Sequence, residues 1–380
     1  MQLIIDRQQL MNAVQDVLKA ISTQTVIPIL SGIKIETKNE GVYLTGSDSD
    51  ISIERFIPKE DDDVEYITIQ KTGSIVLQAR FFSEIIRKLP SSTVEITVTE
   101  EFLTKIKSGH SEFSLNGLDP EEYPRLPNLE SERYFEIEAQ ALKNIIRQTV
   151  FAVSTSETRP VLTGINWTCD NQKLQCVATD SHRLALRHVT IEKASDNLSF
   201  SNVVVPGKSL NELAKIIENN SDLIKAVVTE HFILFKTKYV LFYSRLLDGN
   251  YPDVSKLIPT DSTTSMVVNT KSFLHAIERA SLLAKEGSNN VVKLTNITEK
   301  NVEISSISPE VGKVVEQINC ESYEGEELHI SFSAKYMIDA LRAIDSQTII
   351  IDFTGAMRPF LLRPIDDTSV LQLILPVRTY

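Results

Sequence analysis

Residues 140–187 read QALKNIIRQTVFAVSTSETRPVLTGINWTCDNQKLQCVATDSHRLALR, and the chain contains this pattern more than once. Residues 8–55 lie 132 positions earlier and overlay it without a gap. Leu10 meets Leu142, Asn12 meets Asn144, and Ala20-x-Ser22-Thr23 meets Ala152-x-Ser154-Thr155. Pro28-x-Leu30-x-Gly32-Ile33 meets Pro160-x-Leu162-x-Gly164-Ile165, Asp48-Ser49 meets Asp180-Ser181, and Arg55 meets Arg187. Polar coincidences such as Asn and Thr arise by chance less readily than apolar ones. A repeat this long is a domain-sized unit and not one turn of a solenoid.

Outward from this stretch, each copy predicts the same elements. Copy one opens with a strand, Gln2–Ile5, and a helix with Leu10, Val14, Val17 and Leu18 at helical spacing. Val26 to Ile35 reads as strand, Gly41 starts another, and Asp48-Ser49-Asp50 is a turn before the alternation of Ile51, Ile53 and Phe56. Ile75 to Leu77 is a buried strand, and a second helix from Ala79 to Leu89 stops at Pro90. Strands Val94–Val98, Phe102–Ile106 and Ser111–Leu115 close the copy, and Leu118 to Pro124 is a boundary loop. Copy two places helices at Ala141–Ala152 and Ser209–Ile217, and Leu247 to Pro252 echoes the first boundary. Copy three starts near Met266, with helices Phe273–Ala284 and Ala334–Ile344. Its closing strands are Ile349–Phe353, Phe360–Leu362 and Val370–Leu375. The expected fold is therefore α+β: three repeated units, residues 1–128, 129–260 and 261–380, each with two helices packed on antiparallel sheet.

With 380 residues, 42% of them hydrophobic and 24% charged, the chain has the makeup of a globular protein of two or three domains. No apolar run approaches the roughly 18 residues of a membrane helix. Met1 to Asp6 reads as a strand with an early acid, not a basic signal peptide. Cys169, Cys176 and Cys320 cannot all pair and lack metal-ligand spacing, so buried reduced thiols in a cytoplasmic protein are expected. The net charge of −12 alone argues against nucleic acid.

The distribution of charge argues the other way. The second helix of each copy starts with a base, Arg80, Lys208 or Lys335, and seven residues later carries another, Arg87, Lys215 or Arg342. A spacing of seven returns to nearly the same helix face. Lys19, Lys143, Arg147 and Arg279 add to the first helices less regularly. This pattern predicts a cationic surface facing a polyanion, with the acids held elsewhere. Aromatics and Asn or Gln pairs do not cluster beside these bases, so phosphates are the expected targets, independent of sequence and sensitive to salt.

Catalytic signatures fail on inspection. Thr179-Asp180-Ser181-His182-Arg183 holds Ser, His and Asp, but adjacent turn residues cannot align nucleophile, base and orienting group. The chain has no Walker loop, dinucleotide glycine pattern or metal cluster. No cofactor and no catalytic residue is expected. The chain ends on an apolar run, Leu373 to Tyr380, that frays unless it is docked. Pro376 stops the final strand. A final core strand fits this run; so does a pocket for a partner's short apolar peptide with His182 and Arg183 on a basic rim. A protein-only scaffold and a hydrolase or transferase are the competing functional classes.

Thr179 to Leu186, Leu246 to Asp253, Met357-Arg358-Pro359-Phe360 and the Leu375-Pro376-Val377-Arg378 tail carry a resemblance. Over its whole length, threefold repeat included, the chain resembles the bacterial DNA polymerase III beta subunit, the sliding clamp. The resemblance implies a head-to-tail homodimer closing a ring of six domains, with helices lining a hole that double-stranded DNA threads. It implies partners as well: the DNA polymerase III alpha subunit, the clamp loader, and other polymerases and repair factors, bound through clamp-binding peptides. The implied peptide pocket is Leu162, Thr179, Ser181, His182, Arg183, Leu184, Pro252, Lys256, Leu257, Tyr336, Met357, Pro359, Leu373, Leu375, Pro376, Val377 and Arg378. Ser181 stands where many relatives have glycine, and Lys256 where some have arginine. The DNA-facing set is Gln24, Arg80, Arg87, Ser156, Lys208, Lys215, Lys335 and Arg342. Phe113, Leu282 and Leu283 match the ring interface.

Overall fold

The computed structural model describes residues 1–22, 25–127, 133–218, 222–284, 290–298 and 300–378. Its helices come two per copy: α1 (Arg7–Leu18), α2 (Ala79–Lys88), α3 (Ala139–Thr149), α4 (Gly207–Ala214), α5 (Thr270–Ala284) and α6 (Ala334–Ala343). Among the described residues no helix is long and apolar enough to cross a membrane.

The offset of 132 seen in the sequence recurs in the backbone. Strands Gly32–Lys38, Gly41–Ser47 and Ile51–Pro58 of copy one reappear as Gly164–Asp170, Lys173–Thr179 and Arg183–Thr190. The repeated Pro-x-Leu-x-Gly motif has a physical cause. Pro28 and Pro160 open short 3-10 helices, Pro28–Ser31 and Pro160–Thr163, where a missing N–H costs nothing. The hydroxyls of Ser31 and Thr163 donate back to the carbonyls of Pro28 and Pro160, at 2.6 and 2.7 Å. Leu30 and Leu162 are buried. A side chain at Gly32 or Gly164 would put its Cβ 2.5 Å from Val76 Cγ1 or 2.7 Å from Val204 Cγ1, so only glycine lets the neighbouring strand approach. The repeated Asp-Ser turn is equally specific. Asp48 Oδ1 accepts from the backbone N–H groups of Asp50 and Ile51, and Asp180 Oδ1 from those of His182 and Arg183. Ser49 and Ser181 both adopt positive φ, 80° and 76°.

Backbone contacts divide the chain into two compact units, one of residues 1–139, 193–195 and 212–246, the other of the remainder. In the first, a five-stranded sheet has the order Ser111–Asn116, Leu103–Ser108, Thr93–Val98, Gln2–Asp6, Ile67–Lys71. A nine-stranded antiparallel sheet joins copy two to copy one through Val240–Arg245 beside Ile51–Pro58, with Val240 opposite Arg55 and Ser244 opposite Ile51. α1 lays Leu10, Ala13, Val14 and Val17 into the core, its N-terminus capped by Asp6. Each such buried Leu or Val contributes about 1.5–3 kcal/mol.

The second unit repeats the seam. Its nine-stranded sheet joins copy two to copy three through Arg183–Thr190 beside Val370–Ile374, Arg183 opposite Ile374 and Arg187 opposite Val370. A four-stranded sheet follows, in the order Gly312–Asn319, Asn301–Ser308, Val291–Thr298, His329–Ser333. α5 and α6 pack on a core that includes Phe273, Ile277, Phe332, Met337, Leu341 and Phe360. The three free cysteines are buried, and burial raises their thiols, Cys320 to about 11.

Some expectations about elements need correction. Val26–Ile35 is not one strand: Pro28 starts the 3-10 turn, and the strand begins at Gly32. The second helix of copy two runs from Gly207 and ends at Ala214, so Lys215 lies one residue beyond it, in a turn where its N–H donates to Glu212. The first helix of that copy stops at Thr149 and tightens into a 3-10 turn, Val150–Ala152.

Candidate peptide pocket and cationic helix faces

In the second unit the structure brings Leu162, Leu184, Leu373 and Leu375 into one apolar cluster with Val177, Val204, Tyr251, Val254 and Leu361. The Asp180 turn supplies the polar edge. Thr179 Oγ1 donates to the Arg183 carbonyl at 2.6 Å, and the Thr179 N–H donates to the Tyr251 hydroxyl at 3.0 Å. Burial keeps that Tyr251 phenol well above its ordinary pKa, so it stays neutral. Ser181 donates its N–H to Thr179 Oγ1 at 3.1 Å, which fixes the turn without glycine.

Residues 375–377 of the C-terminal segment are docked. The strand ends at Ile374; the Leu375 N–H then donates to the His182 carbonyl at 3.0 Å and the Val377 N–H to Ser331 at 2.7 Å. Pro376 lies between these two anchors and needs no partner. His182 stacks on Tyr336, ring centroids 6.4 Å apart. Pro252 and, in the 3-10 turn Ser255–Leu257, Lys256 and Leu257 are exposed on a segment held down by buried Tyr251 and Val254. Met357 is exposed in the turn between Thr348–Phe353 and Phe360–Pro364, where the Pro359 carbonyl accepts from Thr354 Oγ1. Arg378 is exposed.

Arg183 does not stand on an exposed basic rim, although His182 beside it is exposed. The Arg183 side chain is only 8% exposed and pairs with Asp180 Oδ2 at 3.0 Å and Asp339 Oδ2 at 2.7 Å. Its remaining terminal nitrogen donates to the Phe151 carbonyl, and its plane lies 4.6 Å from the Tyr336 centroid and 5.3 Å from that of Phe151. It is buried and neutralised beside the apolar cluster, because a bare guanidinium this deep would cost several kcal/mol. Sequence reasoning missed Asp339 and the supporting roles of Asp180 and Tyr251. The signals were there: Asp180 is the repeat mate of Asp48, and Asp339 stands at the helix position of Glu84 and Glu212.

The helix bases fall in register. Arg80, Lys208 and Lys335 are each the second residue of α2, α4 and α6, and all six bases are exposed. Arg80 lies over the Phe81 ring at 5.8 Å. Acids are not kept elsewhere, however, and this part of the expectation is corrected. Arg87 pairs with Glu84 at 2.6 Å, Lys215 with Glu212 at 2.8 Å, and Arg342 with Glu278 at 2.7 Å. Arg147 pairs with Asp345, Arg279 with Glu316, and Lys19 with Asp16. Exposed pairs of this kind are weak and exchange readily. Gln24 lies outside the described residues, and Ser156 sits in an exposed loop, its hydroxyl 3.0 Å from that of Thr158.

Phe113 is exposed on Ser111–Asn116, the outermost strand of the five-stranded sheet. Leu282 on α5 is 65% exposed, and Leu283 beside it is half-buried. Among the described residues no His, Cys, Asp or Glu group could hold a metal ion.

Three family descriptions match the chain in order: the DNA polymerase III beta subunit N-terminal domain at residues 1–127, its central domain at 136–253 and its C-terminal domain at 255–378. The chain belongs to the DNA polymerase III beta subunit family. It is 60% identical to the beta sliding clamp of Bacillus subtilis (strain 168) over 380 residues, all of both chains, and 50% identical to that of Staphylococcus aureus (strain N315) over the same span. Among solved structures it resembles the Bacillus subtilis DNA polymerase sliding clamp, with TM-score 0.97 and 60% identity, and the Streptococcus pneumoniae beta chain, with TM-score 0.94 and 40% identity. Both cover the whole of each chain. The repeat read from the sequence is thus the three-domain α+β architecture of beta subunits. As a beta subunit the chain is a processivity factor without catalysis of its own.

Proposed function

We propose that two copies of this chain close head to tail into a ring that encircles duplex DNA, and that polymerases and other partners are tethered through the apolar pocket around Leu162, Leu184, Leu373 and Leu375. The observation that carries this reading is the recurrence of a cation at the second residue of the second helix and again seven residues later in every copy, in a chain of net charge −12. Six bases on, or in the case of Lys215 just past, three equivalent helices suit a smooth polyanion. Arg87, Lys215 and Arg342 already hold a carboxylate, so their phosphate contacts form by exchange, stay individually weak and favour sliding.

Two free edges suit closure by a second copy. Among the described residues, Ser111–Asn116 ends the five-stranded sheet and Gly312–Asn319 ends the four-stranded one, each without a strand partner on one side. Phe113 pairs across from buried Ile106 and so lies on the inner side of its sheet, where a neighbouring chain's Leu282 and Leu283 would pack against it. The pocket suits a short peptide that leaves apolar side chains in the Leu cluster, and the DNA polymerase III alpha subunit, the clamp loader and repair polymerases are the partners this reading assigns to it. Loading onto a nicked circular duplex, then cutting the circle, tests the proposal. Retention that ends on linearisation supports it; retention that survives linearisation refutes encirclement, and no retention on the circle favours a protein-only scaffold.

A further inference from the structure

The threefold repeat places an acid four residues after the first base of each second helix: Glu84, Glu212 and Asp339. In the first two copies that acid pairs with the second base of its own copy, Arg87 or Lys215. In the third it does not. Arg342 is taken by Glu278 of α5 at 2.7 Å, and Asp339 turns instead to Arg183 at 2.7 Å. Asp180 cannot hold the guanidinium alone, because its Oδ1 already accepts from the N–H groups of His182 and Arg183 and only Oδ2 is left for Nε. Nη1 therefore depends on Asp339.

We propose that Asp339 is a positioning residue for peptide binding: from α6 it holds the buried Arg183 fork over the Tyr336 ring and so sets the wall of the pocket. It touches no peptide itself. The inference rests on the pocket reading above. Without Asp339 the fork keeps Asp180 and the Phe151 carbonyl but loses the contact that fixes its plane. Tyr336 then loses its cation partner, and the His182 stack on that ring loosens.

The test uses the full-length protein and a labelled peptide from the clamp-binding segment of the same organism's polymerase III alpha subunit. D339N should weaken peptide binding by roughly tenfold, the effect of one charge-assisted hydrogen bond. D339E should recover most of that loss, which a merely structural defect would not permit. The fluorine resonance of 3-fluorotyrosine placed at position 336 should move in D339N before any peptide is added. Peptide affinity within twofold of the unsubstituted protein, or an unmoved fluorine signal, overturns the proposal. Should D339N fail to fold, R183K keeps the positive charge and its acids but removes the planar fork, and the same tenfold loss is expected; affinity within twofold refutes it. An unsubstituted protein that ignores the peptide, as a chain cut before Leu375 should, sinks the pocket reading itself and not only the role of Asp339.

Discussion

Replacing Arg80, Arg87, Lys208, Lys215, Lys335 and Arg342 together by glutamine removes the feature on which DNA binding rests. The size of the effect follows from the ion pairs. Each phosphate neutralised contributes about 0.9 to the slope of log affinity against log salt. Arg87, Lys215 and Arg342 hold Glu84, Glu212 and Glu278 and must give these up to meet phosphate, so they count for less than full contacts. If they counted for nothing, three contacts per chain and six per two-chain ring would be lost and the slope would fall by about 5.4; if fully, by about 10.8. Between about 50 and 200 mM salt the smaller figure alone amounts to roughly 2,000-fold in affinity. The assay is fluorescence anisotropy of a labelled duplex titrated at several salt concentrations, with mass in solution measured alongside. A slope unchanged within error, in a variant of unaltered mass, would refute the claim that these six side chains meet DNA.

Other consequences can be measured separately. Removing Leu375 to Tyr380 strips the anchors at His182 and Ser331 and should abolish peptide binding by calorimetry while thermal stability falls only modestly; unaltered affinity takes the tail out of the pocket. Glutamate at both Phe113 and Leu282 places charges where a second chain should pack, and sedimentation should then report single chains; a persistent dimer rejects the proposed interface. His188 has its pKa lowered, first by burial and then by the charges of Arg187 and Lys173. Its folded state therefore binds protons less readily than the unfolded chain. Its stabilising contribution is complete above about pH 6.5 and is lost as pH falls from there toward the folded pKa. H188Q should flatten the fall in melting temperature over that acidic window, and an unchanged profile would contradict the assignment.

Much of the fold was readable because the repeat demands the same local chemistry twice. Pro28 and Pro160, Gly32 and Gly164, and Asp48 and Asp180 each perform one backbone task in both copies, and those tasks tolerate few residue types. Helix faces were readable from spacing alone. What spacing cannot report is the direction taken by a long side chain. Arg183 looked like a rim cation because strand neighbours are apolar, yet two acids from a turn and a distant helix draw it inward. The carboxylates beside Arg87 and Lys215 were visible three residues upstream, but the match between copies in the bases obscured the match in the acids. Glu278 reaches Arg342 from another helix, a pairing set by tertiary packing that no local pattern encodes.

The most direct measurement is the lifetime of the loaded protein on one circular duplex before and after a single double-strand cut. A closed ring with weak phosphate contacts predicts long retention on the circle and rapid loss from the cut ends, with little dependence on DNA sequence. Retention that survives the cut would mean that contacts, and not closure, hold the protein to DNA, and would contradict the account.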